Sequence, residues 1–172
     1  ANTVRKHHSV LHNALEHARR QGLVDGNVVE LAVRPAATQP VHHYYDAETM
    51  QRLFRALEGT SLEPAVKLAG YLGLRRSEIC GLKWSHVDRQ ARVITVAEAR
   101  TAVNGKPVDK EPKNHSSVRR LGYQGISDLE EVLERMWRGR EAERQRLGSR
   151  YHDQGFVLCH SGGRPYQPDY LS

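Results

Sequence analysis

The chain has 172 residues, of which 38% are hydrophobic and 27% are charged, and it carries a formal net charge of +6 with a pI near 9.5. This composition excludes an intrinsically disordered chain, and the positive charge favours a polyanionic partner such as nucleic acid. No apolar run approaches the roughly 20 residues of a membrane-spanning helix and no signal-peptide pattern opens the sequence given, so we expect a cytoplasmic protein without membrane contact. Cys80 and Cys159 lie in apolar stretches, which favours buried free thiols.

The first predicted element is a helix that begins at Asn2 or Thr3 and ends at Gly22. Its apolar face consists of Val4, Leu11, Leu15 and Ala18. Its polar face carries Arg5, Lys6, His8, His12, Arg19 and Arg20. Such a face is either a DNA-contacting surface or a solvated one, and both interpretations stay open. Because no element precedes this helix to cover its apolar face, we expect the sequence to start inside a small helical domain.

Residues 33–45 contain two prolines and lack helical periodicity, which is typical of a linker. We therefore predict one domain over residues 1–34, a linker over 35–45 and a second domain over 46–172. In the second domain Asp46 is predicted to cap one helix, and Gly73 is predicted to end the next. The apolar face of that next helix is predicted from the spacing of Leu62, Ala65, Val66, Ala69 and Leu72.

A short helix is predicted directly after Gly73, with Glu78 in its first turn. Arg75 then lies at the start of this helix, where a guanidinium and free backbone N–H groups can converge on a phosphate. Arg76 is rotated by about 100° from Arg75, so we expect it to have a different role. The alternative is an exposed pair of Arg75 and Glu78 at helical spacing, which would contribute only about 0.3–0.5 kcal/mol.

After residue 88 the periodicity changes from helical to extended. Residues 92–97 and 118–121 are rich in β-branched or alternating residues, and Asn104-Gly105 is a turn signal, so three antiparallel strands are predicted. Lys113 would lie in the hairpin between the second and third strands, although a lysine in a polar hairpin is also an ordinary surface residue. Ser127-Asp-Leu-Glu130 has the spacing of a capping box and predicts a further helix. The predicted fold class is α+β, mainly α, with a small three-stranded antiparallel sheet.

Three stretches of the sequence resemble the tyrosine recombinases, also called phage integrases. Gly73-Leu-Arg-Arg-Ser-Glu-Ile-Cys-Gly-Leu-Lys-Trp-Ser-His-Val-Asp88 is similar to the first catalytic box of that family. Pro112-Lys-Asn-His-Ser-Ser-Val-Arg-Arg120 resembles its Pro-Lys-Thr-x-x-Ser-x-Arg run, with Asn114 in place of the usual threonine. Residues 1–34 resemble the last part of its core-binding domain. The resemblance covers most of the chain and implies that a core-binding helix precedes a helical catalytic domain with a small sheet.

Members of this family cleave DNA with a tyrosine, through a 3′-phosphotyrosine intermediate, and need no metal or other cofactor. The resemblance implies that Arg75 binds the scissile phosphate, that Lys113 protonates the departing 5′ oxygen, and that Glu78 supports the site. Further DNA contacts are expected from Arg76, His115, Ser116, Ser117, Arg119, Arg5, Lys6, His12, Arg19 and Arg20. The implied partner is double-stranded DNA at attachment-type sites, with a tetramer as the active assembly of the whole protein and a monomer compatible with these 172 residues alone.

The family's second catalytic box, His-x-x-Arg, and its tyrosine nucleophile follow a Gly-x-Pro stretch, which here is Gly163-Arg-Pro165. The sequence ends at Ser172, so we expect a DNA-binding recombinase fragment that does not cleave DNA by itself. The alternative is a non-catalytic DNA-binding or regulatory protein on the same scaffold. A different phosphoryl-transfer enzyme is disfavoured because no Gly-rich phosphate loop and no carboxylate cluster for Mg²⁺ is apparent. His8 and His12 lack a third ligand at metal-binding spacing, so no metal site is predicted.

Overall fold

The computed structural model of the chain describes residues 2–37, 44–110 and 118–171. The chain divides into two compact units, Ala1–Tyr44 and Tyr45–Ser172. No helix within the described ranges is long and apolar enough to cross a membrane.

The first unit consists of helix α1 (Asn2–Arg20) and a turn of 3-10 helix (Val28–Leu31). The buried side chain of Asn27 joins them, because its Nδ2 donates to the backbone oxygen of His12 at 3.0 Å and its Oδ1 accepts from the N–H of Val29 at 3.2 Å. Helix α1 has no buried residue, and Leu31 and Val33 are strongly exposed. This unit therefore depends on polar contacts more than on an apolar core of its own.

Three helices open the second unit, namely α2 (Ala47–Leu57), α3 (Glu63–Leu72) and α4 (Arg76–Gly81). The predicted cap of α2 is confirmed, since the Asp46 side chain accepts a hydrogen bond from the N–H of Thr49 at 2.8 Å. The predicted end of α3 is also confirmed, since Gly73 adopts the left-handed conformation with φ 64°. The chain thus reverses at Gly73 and enters α4 only three residues later.

The buried face of α3 differs from the prediction. Its buried residues are Glu63, Pro64, Ala65, Lys67 and Leu68. Of the predicted face, Ala65 is buried and Leu72 packs against the core, whereas Leu62, Val66 and Ala69 line an open apolar cavity of about 510 Å³, on which α2 also borders. The prediction was wrong for Leu62, Val66 and Ala69 because it counted apolar residues only, whereas the buried face includes Glu63 and Lys67, which form an ion pair with each other.

Five short strands are present in the described part of the second unit, namely β1 (Val87–Asp88), β2 (Val93–Val96), β3 (Ala99–Val103), β4 (Lys106–Lys110) and β5 (Arg119–Gly122). An antiparallel sheet has the order β1-β2-β5, and its register pairs Val96 with Arg119 and Thr95 with Arg120. The predicted fold class, mainly α with a three-stranded antiparallel sheet, is confirmed. Its first strand is β1, which is too short to show an alternating pattern in the sequence.

Strands β3 and β4 form a separate two-stranded sheet. They turn at Asn104-Gly105, where both residues have positive φ (51° and 72°), as a type I′ hairpin turn requires. Strand β3 packs against α4 at Gly81, where an added Cβ would lie only 2.9 Å from the backbone nitrogen of Arg100. This close approach holds β3 on the helix and away from the three-stranded sheet.

Helix α5 (Ser127–Leu147) covers the core through Leu129, Val132 and Leu133. Its predicted capping box was wrong, because the helix begins at Ser127 without a side-chain cap and Glu130 accepts from the N–H of Gly125 instead. After α5 the chain passes through a turn of 3-10 helix (Gly148–Arg150) and then through the buried residues Phe156, Val157 and Leu158. This run forms isolated bridges from Lys83 to Phe156 and from Cys159 to Pro165.

Candidate functional site

Arg75 occupies the N-cap position of α4, with an extended backbone (φ −73°, ψ 152°) and a side chain that is 76% exposed. Its own backbone N–H donates to Glu78 Oε2 at 2.7 Å, and is therefore not free to bind an anion. Its guanidinium makes one hydrogen bond to the same carboxylate, from Nη1 to Oε1 at 3.0 Å. The group that can meet a phosphate here is thus the guanidinium, with most of its surface open to solvent.

Glu78 is buried beneath Arg75 and is shared with a second arginine. Arg119, at the start of β5, forms a bidentate pair with it, from Nη1 to Oε1 and from Nη2 to Oε2, both at 2.8 Å. The hydrogen bonds from Arg119, and then those from Arg75, lower the pKa of Glu78 to about 2 in spite of its burial. The same pair raises the pKa of Arg119. Glu78 is therefore an anion at any physiological pH.

The structure brings three of the predicted site residues together: Arg75, Glu78 and Arg119. We call them the arginine clamp. The support of Arg75 by Glu78 was predicted, whereas only a DNA contact, and no partner within the protein, was predicted for Arg119. Glu78 and Arg119 are 41 positions apart, so no local pattern connects them. The only signal was strand alternation, by which Arg119 and Arg120 must face opposite sides of β5.

Lys113, His115, Ser116 and Ser117 lie outside the described residues, so their predicted roles stay predictions. Arg76 is exposed and lines the apolar cavity beside Leu74 and Ile79.

The basic face of α1 has two kinds of side chain. Arg5 donates from Nη1 to the backbone oxygen of Pro35 at 2.5 Å, and His12 Nε2 lies 3.6 Å from Glu30 Oε1, so both contact their own unit. Lys6, Arg19 and Arg20 are exposed. Arg19 and Arg20 both form ion pairs with Glu16, and their hydrogen bonds lower the pKa of Glu16 to about 2. Two arginines against one carboxylate leave one positive charge at the end of α1.

The arginines of α5 are paired with acidic residues. The pairs are Arg135 with Glu63, Arg138 with Glu134, Arg140 with Glu141 and Asp153, Arg144 with Glu141, and Arg146 with Glu143. Because these charges cancel locally, α5 is a poor candidate for phosphate binding compared with the clamp and α1. No group of three or more His, Cys, Asp or Glu side chains in the described part of the chain could hold a metal ion.

No family model and no curated protein matches the chain. Solved structures do match it. The integrase of transposon Tn1549 in complex with a circular intermediate DNA has a TM-score of 0.78 and 18% identity over 96% of this chain and 54% of that chain. Lambda integrase bound to DNA has a TM-score of 0.58 and 16% identity, with 98% and 52% covered. A lambda integrase tetramer bound to a Holliday junction has a TM-score of 0.55 and 19% identity, with 96% and 43% covered.

These matches show that the chain has the fold of the tyrosine recombinases, or integrases, as the resemblance of its motifs predicts. The chain spans about half the length of the solved chains that it matches. The sequence identities are low, so the likeness extends to the fold and leaves the chemistry to be argued from the residues.

Proposed function

We propose that the chain is the DNA-binding part of a site-specific recombinase that breaks and rejoins DNA through a 3′-phosphotyrosine intermediate. The observation that supports this most is Arg75, an exposed guanidinium anchored by Glu78 on a scaffold shared with integrases in complex with DNA. Residues 1–34 would then be the end of a core-binding domain and residues 46–172 part of the catalytic domain. Because its substrate is DNA, we expect this recombinase in the cytoplasm of a bacterium or of a phage-infected cell.

In this function Arg75 binds a nonbridging oxygen of the scissile phosphate, and Lys113 donates the proton to the departing 5′ oxygen. A preorganised donor of this kind typically lowers a barrier by about 3–4 kcal/mol, so loss of Arg75 would be severe. Glu78 holds the guanidinium and does not meet the substrate. By analogy with the lambda integrase tetramer on a Holliday junction, the complete recombinase would act as a tetramer on paired duplex sites.

Three tyrosines of this chain have raised pKa values, which disfavour a role as the nucleophile. Burial raises the pKa of Tyr123 and Tyr166, and it raises the pKa of Tyr151 to about 12. Attack on phosphorus needs a phenolate, which a raised pKa disfavours. We infer that the nucleophile is not among these three. The prediction that the 172 residues alone form no covalent adduct with DNA rests on the resemblance, in which the second catalytic box and the tyrosine follow the Gly-x-Pro stretch.

DNA binding is tested by measuring the affinity of the chain for a duplex by fluorescence anisotropy between 50 and 200 mM salt. If phosphates are bound, the logarithm of the affinity falls linearly with the logarithm of the salt concentration, with a slope of roughly −0.9 for each phosphate contacted. Arg75→Ala should reduce that slope by about one contact. An affinity independent of salt would refute the nucleic-acid function.

The chemistry is tested with a nicked suicide substrate, from which the cleaved end diffuses away and traps the intermediate. The complete recombinase should accumulate a covalent protein–DNA adduct, and Arg75→Ala should abolish it. Salt-dependent binding by the complete protein without any adduct would indicate the alternative, a non-catalytic DNA-binding regulator. An adduct formed by the 172 residues alone would contradict the prediction that they do not cleave DNA by themselves.

A further inference from the structure

We propose that Arg119 is a positioning residue which keeps Arg75 available to phosphate, because it occupies and neutralises the carboxylate of Glu78 that would otherwise hold Arg75. This inference rests on the proposed function, since it concerns the same phosphate site. It assigns Arg119 a role within the protein in place of a contact with DNA.

The hydrogen bonds of the clamp are shared equally between the two arginines. Oε1 of Glu78 accepts from Arg75 Nη1 at 3.0 Å and from Arg119 Nη1 at 2.8 Å. Oε2 accepts from the backbone N–H of Arg75 at 2.7 Å and from Arg119 Nη2 at 2.8 Å. A carboxylate has about four lone-pair sites, so Glu78 is saturated and can accept little more from Arg75.

The charges of the clamp explain why this saturation matters. Two guanidinium groups against one carboxylate leave one positive charge, and the side-chain exposures show where it lies: 10% for Glu78, 35% for Arg119 and 76% for Arg75. Without Arg119, Glu78 and Arg75 would form a neutral pair. Because guanidinium and carboxylate groups favour a bidentate fork, the guanidinium of Arg75 would then turn towards Glu78 and away from an approaching phosphate.

Strand β5 provides a matched control beside Arg119. The next residue, Arg120, pairs in register with Thr95 and points to the opposite side of the sheet. Arg120 is exposed, and within the described ranges it has no ion-pair partner. Replacement of Arg120 therefore removes the same charge from the same strand without touching Glu78.

The experiment is a double-mutant cycle in DNA binding, using the 172-residue chain, a fixed duplex and the same salt titration. Arg119→Gln should weaken binding roughly tenfold or more and reduce the salt slope by about one contact, as Arg75→Ala does. The double variant of Arg75→Ala and Arg119→Gln should bind no worse than Arg75→Ala alone, because Arg119 acts only through Arg75. Arg120→Gln should add its own effect, if any, to that of Arg75→Ala.

Arg119→Lys separates charge from structure. Lysine cannot form the bidentate fork with Glu78, but it keeps a positive charge beside that carboxylate. Because the charge is kept, Arg119→Lys should restore most of the salt slope that Arg119→Gln loses. Circular dichroism and tryptophan fluorescence identify the variants that remain folded. If Arg119→Gln does not fold, the comparison of Arg119→Lys with and without Arg75→Ala completes the cycle. A folded lysine variant with a slope as low as that of Arg75→Ala would overturn the role of charge.

Two outcomes would overturn the inference while leaving the proposed function intact. If the losses of DNA affinity in the two single variants add up in the double variant, Arg119 contacts a phosphate itself. If folded Arg119→Gln binds DNA as tightly as the wild type, Arg75 binds phosphate without a contribution from Arg119. A wild-type affinity that does not depend on salt would instead refute the proposed function, together with the role of Arg119 in it.

Discussion

Replacement of Glu78 by glutamine should change how the stability of the second unit depends on pH. The variant keeps the size of the side chain and one acceptor, but it cannot ionise. Any part of the difference in unfolding free energy that varies with pH therefore reports the titration of Glu78 itself. The side chain is only 10% exposed, so solvent screens its pairs with Arg119 and Arg75 weakly.

The magnitude follows from the shift in pKa. A drop from the ordinary value of 4.5 to about 2 is worth about 3 kcal/mol, at roughly 1.4 kcal/mol for each pKa unit. Because the pKa of Glu78 is lower in the folded state, this stability is fully present above about pH 5 and is lost as the pH falls towards 2. About 2 kcal/mol of it should be gone by pH 3.

The assay is urea unfolding of the wild type and Glu78→Gln between pH 7 and pH 3, followed by tryptophan fluorescence. Both tryptophans of the chain, Trp84 and Trp137, lie in the second unit, with ring centroids 5.1 Å apart, so the signal comes from that unit alone. Glu131→Gln is the control, because Glu131 is an exposed residue of α5. A difference between wild type and Glu78→Gln that is constant from pH 7 to pH 3 would refute the reasoning.

Three further outcomes are expected. Gly81→Ala should destabilise the second unit by about 1–3 kcal/mol in urea unfolding, because the added methyl group would lie within 3.0 Å of the backbone of β3. The control Gly139→Ala places its methyl group in open space on α5 and should stabilise the unit by up to about 1 kcal/mol. Equal effects of the two substitutions would contradict the close approach of β3 to Gly81. Lys67→Met should cost about 3 kcal/mol in the same assay, since it leaves buried carboxylate charge with fewer partners, and a neutral effect would show that the pairs of Lys67 contribute no net stability. Burial raises the pKa of both thiols, so Cys80 and Cys159 should react slowly with a thiol reagent at pH 7, Cys80 the more slowly, and fast labelling of the folded chain would contradict their environment.

The features that could be predicted from the sequence are those with local causes. The cap at Asp46, the left-handed stop at Gly73 and the turn at Asn104-Gly105 each depend on one or two residues and their immediate backbone. The position of Arg75 beside Glu78 follows in the same way, since three residues of helix bring them together.

The features that could not be predicted depend on contacts between distant parts of the chain. The pairing of Arg119 with Glu78 exists only once β5 has joined β2, and the burial of Lys67 needs Asp128 from α5 as a partner. Hydrophobic periodicity has no means of anticipating a buried ion pair, because its rule places charges outside. The pattern therefore missed the buried Glu63 and Lys67 of α3 and the pairing of Arg119 with Glu78 in the clamp.

The pairing of Val96 with Arg119 closes a loop, since β2 leaves the sheet at one of these residues and β5 returns at the other. Residues 97–110, which include the β3–β4 hairpin, lie outside this three-stranded sheet. For a flexible loop, each doubling of length costs only about 0.6 kcal/mol in closure entropy. Insertions at the turn between β3 and β4 should therefore cost little stability. The length of this hairpin can thus change in evolution while the arginine clamp stays in place.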